Sequence, residues 1–527
     1  MTQAIPNRAA AAAAFLSILA LPAAGALAQG GAPARPCGDL LKFQMPGMSI
    51  AITRAEPLAA GAPPAPGGFP GAPAMTLPAH CRVEGVIDRR EGVGGKPYGI
   101  GFALALPEHW SGRFLFQGGG GLNGNVGVPI GATAAGDASA LGRGFAVVAT
   151  DSGHKGSVFD GSFFEDQQAS LDFYYVAIGR VTQAAKAIIS AYYGRATEHA
   201  YFAGCSTGGR EAMVVTQRYP SYFDGVVSGN PAIRTGYSNL ALAYIGAVFG
   251  RAAGREAAGK PMELFSAADK ALIVRSLLDA CDDKDGIKDG MIFDSRGCSF
   301  APASLACEAG QTDGCLAPAK AAALTKAFAG PKDVRGNQIY PGFPYDAGIA
   351  QGPAGLPGLL FGPRIPVSLS IDAATFDVDR EAVRIAAGVD NLIGDSIWTK
   401  LSTFAGRGGK LLFYHGLSDP WFSPLDTVGY YEAMTRDNGG SERVLSWSRL
   451  YLVPGMGHCG GGSAALDRFD MLTAVTDWVE KGVAPASVIA TGRAFPGRSR
   501  PLCAYPAHAH YAGQGDPQDA KSFVCRQ

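Results

Sequence analysis

The chain has 527 residues, with 45 lysines and arginines against 45 aspartates and glutamates, so its formal net charge is zero. That balance speaks against a nucleic-acid binder, which would carry a basic excess, and 47% hydrophobic against 17% charged residues speaks against disorder. The 73 glycines and 35 prolines, about a fifth of the chain, argue for a loop-rich α/β protein rather than a helical bundle.

Residues 1–28 read as a secretory signal peptide: Arg8 gives the positive start, Ala9–Ala24 the apolar stretch, and Ala26-Leu27-Ala28 the cleavage site before Gln29. No later apolar run is long enough to span a bilayer, so an exported protein without a membrane span is expected, periplasmic or extracellular. Ten cysteines, an even number, then predict up to five disulfides. No C-x-x-C pair occurs, which weakens a zinc or redox reading.

Residues 29–80 are rich in proline, glycine and alanine, most of all Gly61–Ala74, and read as an irregular surface segment. Beyond Cys81, Arg113–Gln117 is a short apolar strand that runs into the four-glycine turn Gly118–Gly121, and Phe145–Thr150 is a second strand. Leu171–Tyr193 carries an apolar stripe (Val176, Ile178, Val181, Ala184, Ala185, Ile188, Ile189) at helical spacing. Ala200–Ala203 is a strand, Gly204–Gly209 a tight turn, the segment through Tyr219 a helix, and Gly225–Ser228 the next strand. This alternation predicts a parallel sheet covered by helices. From residue 232 to 397 the pattern is lost, with two clear helices at most, near Ala267–Leu278 and Ala317–Ala329. It returns with the strand Lys410–Tyr414, a helix near Pro424–Arg436, the strand Arg449–Val453 and a helix near Ala465–Lys481. The expected organisation is one α/β-hydrolase core in two parts, 29–231 and 398–527, interrupted by an insertion at 232–397.

Gly204-Cys205-Ser206-Thr207-Gly208 fits G-x-S-x-G between a predicted strand and a predicted helix, the setting of a nucleophile elbow. The competing reading is a strand–helix turn without chemistry. Asp419 and His458 follow in the order nucleophile, acid, histidine. Each lies just past a predicted strand, at the sheet edge where α/β proteins gather ligands. In this reading Ser206 attacks, His458 relays the proton and Asp419 orients the ring, while the amides of Thr207 and Gly120, with Gly121 close behind, receive the oxyanion. Cys205 directly precedes the serine and Cys459 directly follows the histidine, so a bond between them would tie the two loops together.

The G-C-S-T-G-G elbow, the G-H-C-G-G-G histidine loop, the flanking cysteines, Gln117–Asn123 and Leu401–Met434 resemble the tannase and feruloyl esterase family. The resemblance implies an α/β-hydrolase fold with a lid insertion, the triad Ser206, Asp419 and His458, and the bond Cys205–Cys459. It also implies the pairs Cys37–Cys81, Cys281–Cys298, Cys307–Cys315 and Cys503–Cys525. The family hydrolyses esters of aromatic carboxylic acids (gallate, hydroxycinnamate and, in one branch, a terephthalate monoester), so the implied partner is a small aromatic ester. The Asp419–Ser423 stretch leans toward the terephthalate branch.

Four carboxylates fall within Asp282–Asp289, a run that repels itself unless a cation or lysines neutralise it. It fails the EF-hand spacing, and on its own it reads equally as a metal loop or a solvated acidic turn. The resemblance implies a structural Ca²⁺ held by the side chains of Asp282, Asp285 and Asp289 and the carbonyls of Ile287 and Met291, with no organic cofactor. Trp421 and Phe422 are candidates for lining an aromatic pocket, against ordinary packing. Two alternatives to a serine esterase remain at this stage: a calcium-stabilised binding protein on the same scaffold, and a serine peptidase.

Overall fold

The short apolar runs of the sequence are the inner strands of a single nine-stranded sheet. The computed structural model describes residues 31–61, 76–254, 264–350 and 375–527; the expected signal peptide and most of Gly61–Ala74 lie outside them. The strands are β1 (Ile50–Leu58), β2 (His80–Glu91), β3 (Pro97–Pro107), β4 (Arg113–Gln117), β5 (Ala146–Thr150), β6 (His199–Cys205), β7 (Gly225–Gly229), β8 (Lys410–Gly416) and β9 (Ser448–Val453). Their order across the sheet is β1-β2-β3-β5-β4-β6-β7-β8-β9. Strands β1 to β3 pair antiparallel with one another and β3 with β5, whereas β5, β4, β6, β7, β8 and β9 run parallel.

Side chains alternate across a strand, and here both faces are covered. Phe114, Phe116, Phe202, Val226, Leu411 and Phe413 enter one core with the helices Ala177–Tyr193, Thr207–Arg218 and Pro424–Asp437. Leu115, Tyr201, Val227, Leu412 and Tyr414 enter the other with the helix Met471–Lys481. Two-sided burial is why the strands read as unbroken apolar runs.

Three expectations are corrected. Residues 50–58 form β1 rather than irregular surface; one of its faces is open to solvent, and Thr53, Arg54 and Glu56 break its apolar run. The last predicted helix begins at Met471 instead of Ala465, because Asp470 caps it by accepting the Thr473 N–H at 2.8 Å. The insertion holds more helix than expected, notably Thr235–Ala252 and Val378–Ala387 beside Ala267–Cys281 and Pro318–Phe328. Thr235–Ala252 has no polar stripe to betray it. Ala241, Ile245, Val248 and Phe249 pack into one apolar cluster of the insertion, while Leu240, Ala243 and Ala247 pack into another with Phe376 and Ile385.

Strands β7 and β8 are neighbours although the chain between them, 230–409, leaves to build this helical layer. The fold is an α/β-hydrolase sheet with a large insertion at its carboxyl edge.

Candidate active site

Ser206 sits at the tip of the β6–helix turn with φ 65° and ψ −122°, a conformation that costs an L-residue about 1–3 kcal/mol. Its N–H is held by the Gly229 carbonyl at 3.0 Å. The turn closes only with glycine on both sides, since a Cβ on Gly204 would lie 2.4 Å from the Gly208 carbonyl oxygen. The helix Thr207–Arg218 starts directly behind the serine and points its N-terminal amides at the space above it.

The loop after β4 runs beside this turn. Gly208 N–H donates to the Gly119 carbonyl (3.0 Å), and the Thr207 hydroxyl donates to the Gly121 carbonyl. Among the described residues, the N–H groups of Gly120 and Thr207 have no hydrogen-bond partner, and Gly120 faces open space.

Asp419 is fully buried in the loop after β8 and is surrounded by donors. Its Oδ2 lies 2.8 Å from His458 Nδ1, 2.8 Å from Asn230 Nδ2 and 3.2 Å from His415 Nε2. Its Oδ1 accepts the N–H groups of Trp421 (2.8 Å) and Phe422 (3.2 Å). Burial alone would raise this carboxyl, but His458 and His415 more than offset it and hold the group well below the usual carboxylate range. His415 Nε2 faces two acceptors, Asp419 and the Phe422 carbonyl at 3.1 Å, so it carries the hydrogen, and Nδ1 accepts from the Thr427 hydroxyl at 2.8 Å.

His458 lies in the loop after β9, and the next residue is bonded to the residue before the serine. The Cys205–Cys459 disulfide bridges Cα atoms 5.9 Å apart over 254 residues of chain. The other four bonds join Cys37 to Cys81, Cys281 to Cys298, Cys307 to Cys315 and Cys503 to Cys525, all as expected. Among the described residues the Ser206 hydroxyl makes no hydrogen bond to the ring, and such contacts commonly tighten only with substrate bound. Seven described non-glycine residues have positive φ, and five of them (Asn123, Ser152, Ser206, Asn230 and Cys459) lie in or against this site.

The insertion is stitched to both loops of this arm. Asp346, fully buried, accepts the Ser418 hydroxyl next to Asp419 and the Gly455 N–H (2.8 Å) three residues before His458. The buried Tyr340 hydroxyl accepts the Ser423 N–H at 3.1 Å.

Of the two aromatic candidates, Phe422 is buried with its ring centroid 5.3 Å from that of His458, and Trp421 is half-buried at 6.2 Å. Phe159, from the loop after β5, stacks on Trp421 at 5.7 Å and is exposed.

In the acidic loop, Asp282 and Asp285 are buried, and Asp289 pairs with the buried Arg500. Asp282 accepts the N–H groups of Asp289, Gly290 and Met291, and Asp285 that of Phe293. Burial, with Asp289 and Asp282 adding to it, pushes the Asp285 carboxyl up to about 7 against the Phe293 hydrogen bond. No three acidic, histidine or cysteine side chains among the described residues already converge as a ligand set. What fits a cation is the charge: among the described residues, no lysine or arginine pairs with Asp282 or Asp285.

The family model for tannase and feruloyl esterase matches residues 81–357 and 367–526. The chain belongs to that family. A mono(2-hydroxyethyl) terephthalate hydrolase of Piscinibacter sakaiensis is 37% identical over 526 residues, covering 86% of each chain. A probable feruloyl esterase of Arthroderma benhamiae is 30% identical over 454 residues, covering 80% of this chain and 81% of that one. Among solved structures, feruloyl esterase B of Aspergillus oryzae superposes with a TM-score of 0.75 at 27% identity, over 93% of this chain and 99% of that one.

This tannase and feruloyl esterase relative is a carboxylic ester hydrolase, with parts of its site that sequence reading does not assign. Asn230 follows β7 at the same sheet edge as the triad candidates, so position alone would have marked it. His415 stands in the motif around Asp419 but competes there with no distinguishing signal. Asp346 and Phe159 come from loops whose paths only the tertiary structure reveals.

Proposed function

We propose that the chain is an exported serine esterase cleaving esters of aromatic carboxylic acids through an acyl-enzyme. The observation that carries this is the disulfide between the neighbours of Ser206 and His458, with His458 Nδ1 2.8 Å from Asp419. Ser206 Oγ attacks the ester carbonyl as His458 Nε2 takes its proton. The negative oxygen is received by the unpaired amides of Thr207 and Gly120. The C–O bond to the alcohol then breaks, and His458 returns the proton to the departing alkoxide. Water, deprotonated by the same nitrogen, adds to the acyl carbon; the bond to Ser206 Oγ then breaks, His458 returns the proton to that oxygen, and the acid leaves. Asp419, kept ionised by its donors, fixes the Nδ1–H tautomer and stabilises the ring's transient positive charge.

The face of Trp421, continued by Phe159, offers an apolar wall for a planar aryl acid next to His458. Export is supported by five disulfides, which persist in oxidising compartments. One purified sample assayed on methyl gallate, methyl ferulate and mono(2-hydroxyethyl) terephthalate tests the substrate class. The 37% relative puts the terephthalate monoester first in the expected order; no turnover of any of the three defeats the reading.

We also propose that the acidic loop takes a Ca²⁺, with Asp282, Asp285 and Asp289 side chains and the Ile287 and Met291 carbonyls as its oxygens. Two buried carboxylates without a paired lysine or arginine among the described residues support this, and an all-oxygen donor set favours Ca²⁺ over zinc. The ion would hold the Ala267–Cys281 helix of the insertion against the C-terminal strands through Asp289 and Arg500. Chelation is expected to lower the melting temperature by several degrees, with recovery on adding Ca²⁺ but not Mg²⁺. A melting curve unmoved by chelator would leave the loop a metal-free turn.

A further inference from the structure

Glu211 is fully buried on the helix behind Ser206, beside the equally buried Arg210. A buried carboxylate is costly unless its oxygens are used, and here each is. Oε2 accepts the Gly119 N–H at 2.8 Å, and Oε1 is approached by the Ser152 hydroxyl at 3.3 Å and Asn123 Nδ2 at 3.4 Å. Arg210 turns the other way, donating to the Phe173 (3.1 Å) and Tyr174 (2.9 Å) carbonyls in the π-helical segment Asp172–Val176 that leads into the helix Ala177–Tyr193.

The consequence falls on Gly120. Gly119 is fixed to the nucleophile helix from both sides of its residue, its N–H by Glu211 and its carbonyl by Gly208. Gly121 is held to the same helix by the Thr207 hydroxyl. Gly120 lies between these attachments with its own N–H unpaired among the described residues. The loop has four glycines in a row, and glycine restricts its backbone least of all residues. Without outside attachments the direction of that N–H would be undetermined.

We propose that Glu211 is a positioning residue for ester hydrolysis: by holding the 118–119 peptide it fixes Gly119, whose carbonyl the Gly208 N–H holds, so that the Gly120 N–H points at the oxyanion. This rests on the serine-esterase reading above. Glu211 touches no reacting atom; it acts through Gly119. An ionised carboxylate here would oppose a nearby negative oxygen, but burial pushes the group toward its neutral form, against the pull of Arg210 and the Gly119 N–H. Glu211→Gln, which keeps an acceptor for Gly119 without charge, is therefore the conservative variant.

The test compares wild type, Glu211→Gln and Glu211→Met on one aromatic ester. It also measures the binding of two ligands, an aryl boronic acid that adds to Ser206 as a tetrahedral anion and the planar aryl carboxylate product. Loss of one oxyanion donor costs about 10²–10³ in kcat. Glu211→Met is expected to lose about 10² in kcat and about 10² in boronate affinity, with KM and product affinity within about threefold of wild type. Glu211→Gln should recover both. Equal losses for boronate and product in Glu211→Met, or a Glu211→Gln as impaired as Glu211→Met, overturn the proposal. Should Glu211→Met not fold, Thr207→Val keeps the Thr207 amide but removes the attachment at Gly121. It must then show the same selective loss of boronate affinity, and an unchanged ratio overturns the proposal. Failure of the parent reading looks different: the boronate would bind Ser206→Ala as tightly as wild type, and both proposals would fall together.

Discussion

Replacing Ser206 with alanine is expected to lower kcat on an aromatic ester by a factor on the order of 10⁶, the scale set by removing the nucleophile of a serine hydrolase. KM is expected to move little, because the aromatic wall and the oxyanion amides stay in place. The same position gives a second readout. Ser206 is held at φ 65°, which costs an L-residue about 1–3 kcal/mol, and alanine inherits that cost. Glycine does not, although it returns about 0.5–1 kcal/mol through the entropy of the unfolded chain. Ser206→Gly should therefore be inactive and slightly more thermostable than Ser206→Ala. Inactivity together with a higher melting temperature identifies strain stored for the nucleophile. Residual turnover above about 1% of wild type in either variant would show that the hydroxyl is not what attacks.

The sheet was legible because its inner strands are buried on both sides and so carry unbroken apolar runs, as in Phe114–Phe116 and Leu411–Tyr414. The candidate triad was legible because Ser206, Asp419 and His458 each follow such a strand at one edge. What escaped reading has a common physical cause: it is determined by contacts rather than by period. β1 has one open face, and Thr53, Arg54 and Glu56 break its apolar run. Thr235–Ala252 is enclosed by apolar clusters on two sides and shows no amphipathic stripe. Glu211 sits next to Arg210, which in sequence looks like two charges on a solvated helix, whereas both are buried and face different partners. Asp346 binds the loops carrying Asp419 and His458 from a segment with no motif at all. The disulfide pairing came from family resemblance, since ten cysteines allow many connectivities.

Removing both Cys205 and Cys459, by alanine at each, separates two roles of their bond. Its ring closes 254 residues, so chain entropy assigns it about 5 kcal/mol of stability. For a protein this large, the entropy of unfolding turns that into a drop of about 5 °C in melting temperature. The four remaining disulfides are untouched and Cys205 only borders the second core, so the variant should be folded at 25 °C. The catalytic effect is expected to be larger. Ser206 and His458 belong to different loops, and among the described residues no hydrogen bond joins them. In the proposed reaction the sulfurs are therefore the covalent tie that would set how far the base stands from the nucleophile. Asp419 with His415 and Asn230 orients the ring on one side, and Asn230 adjoins Gly229, whose carbonyl holds the Ser206 N–H, so from that side the link to the β6 turn is by hydrogen bonds alone. A displacement of about 1 Å between reacting groups costs about 10² in rate, so kcat should fall by about that factor, with KM nearly constant. A lower melting temperature with kcat unchanged would assign the bond to stability alone, and the positioning of base and nucleophile would then have to come from the hydrogen bonds that run from Ser206 through Gly229 and Asn230 to Asp419.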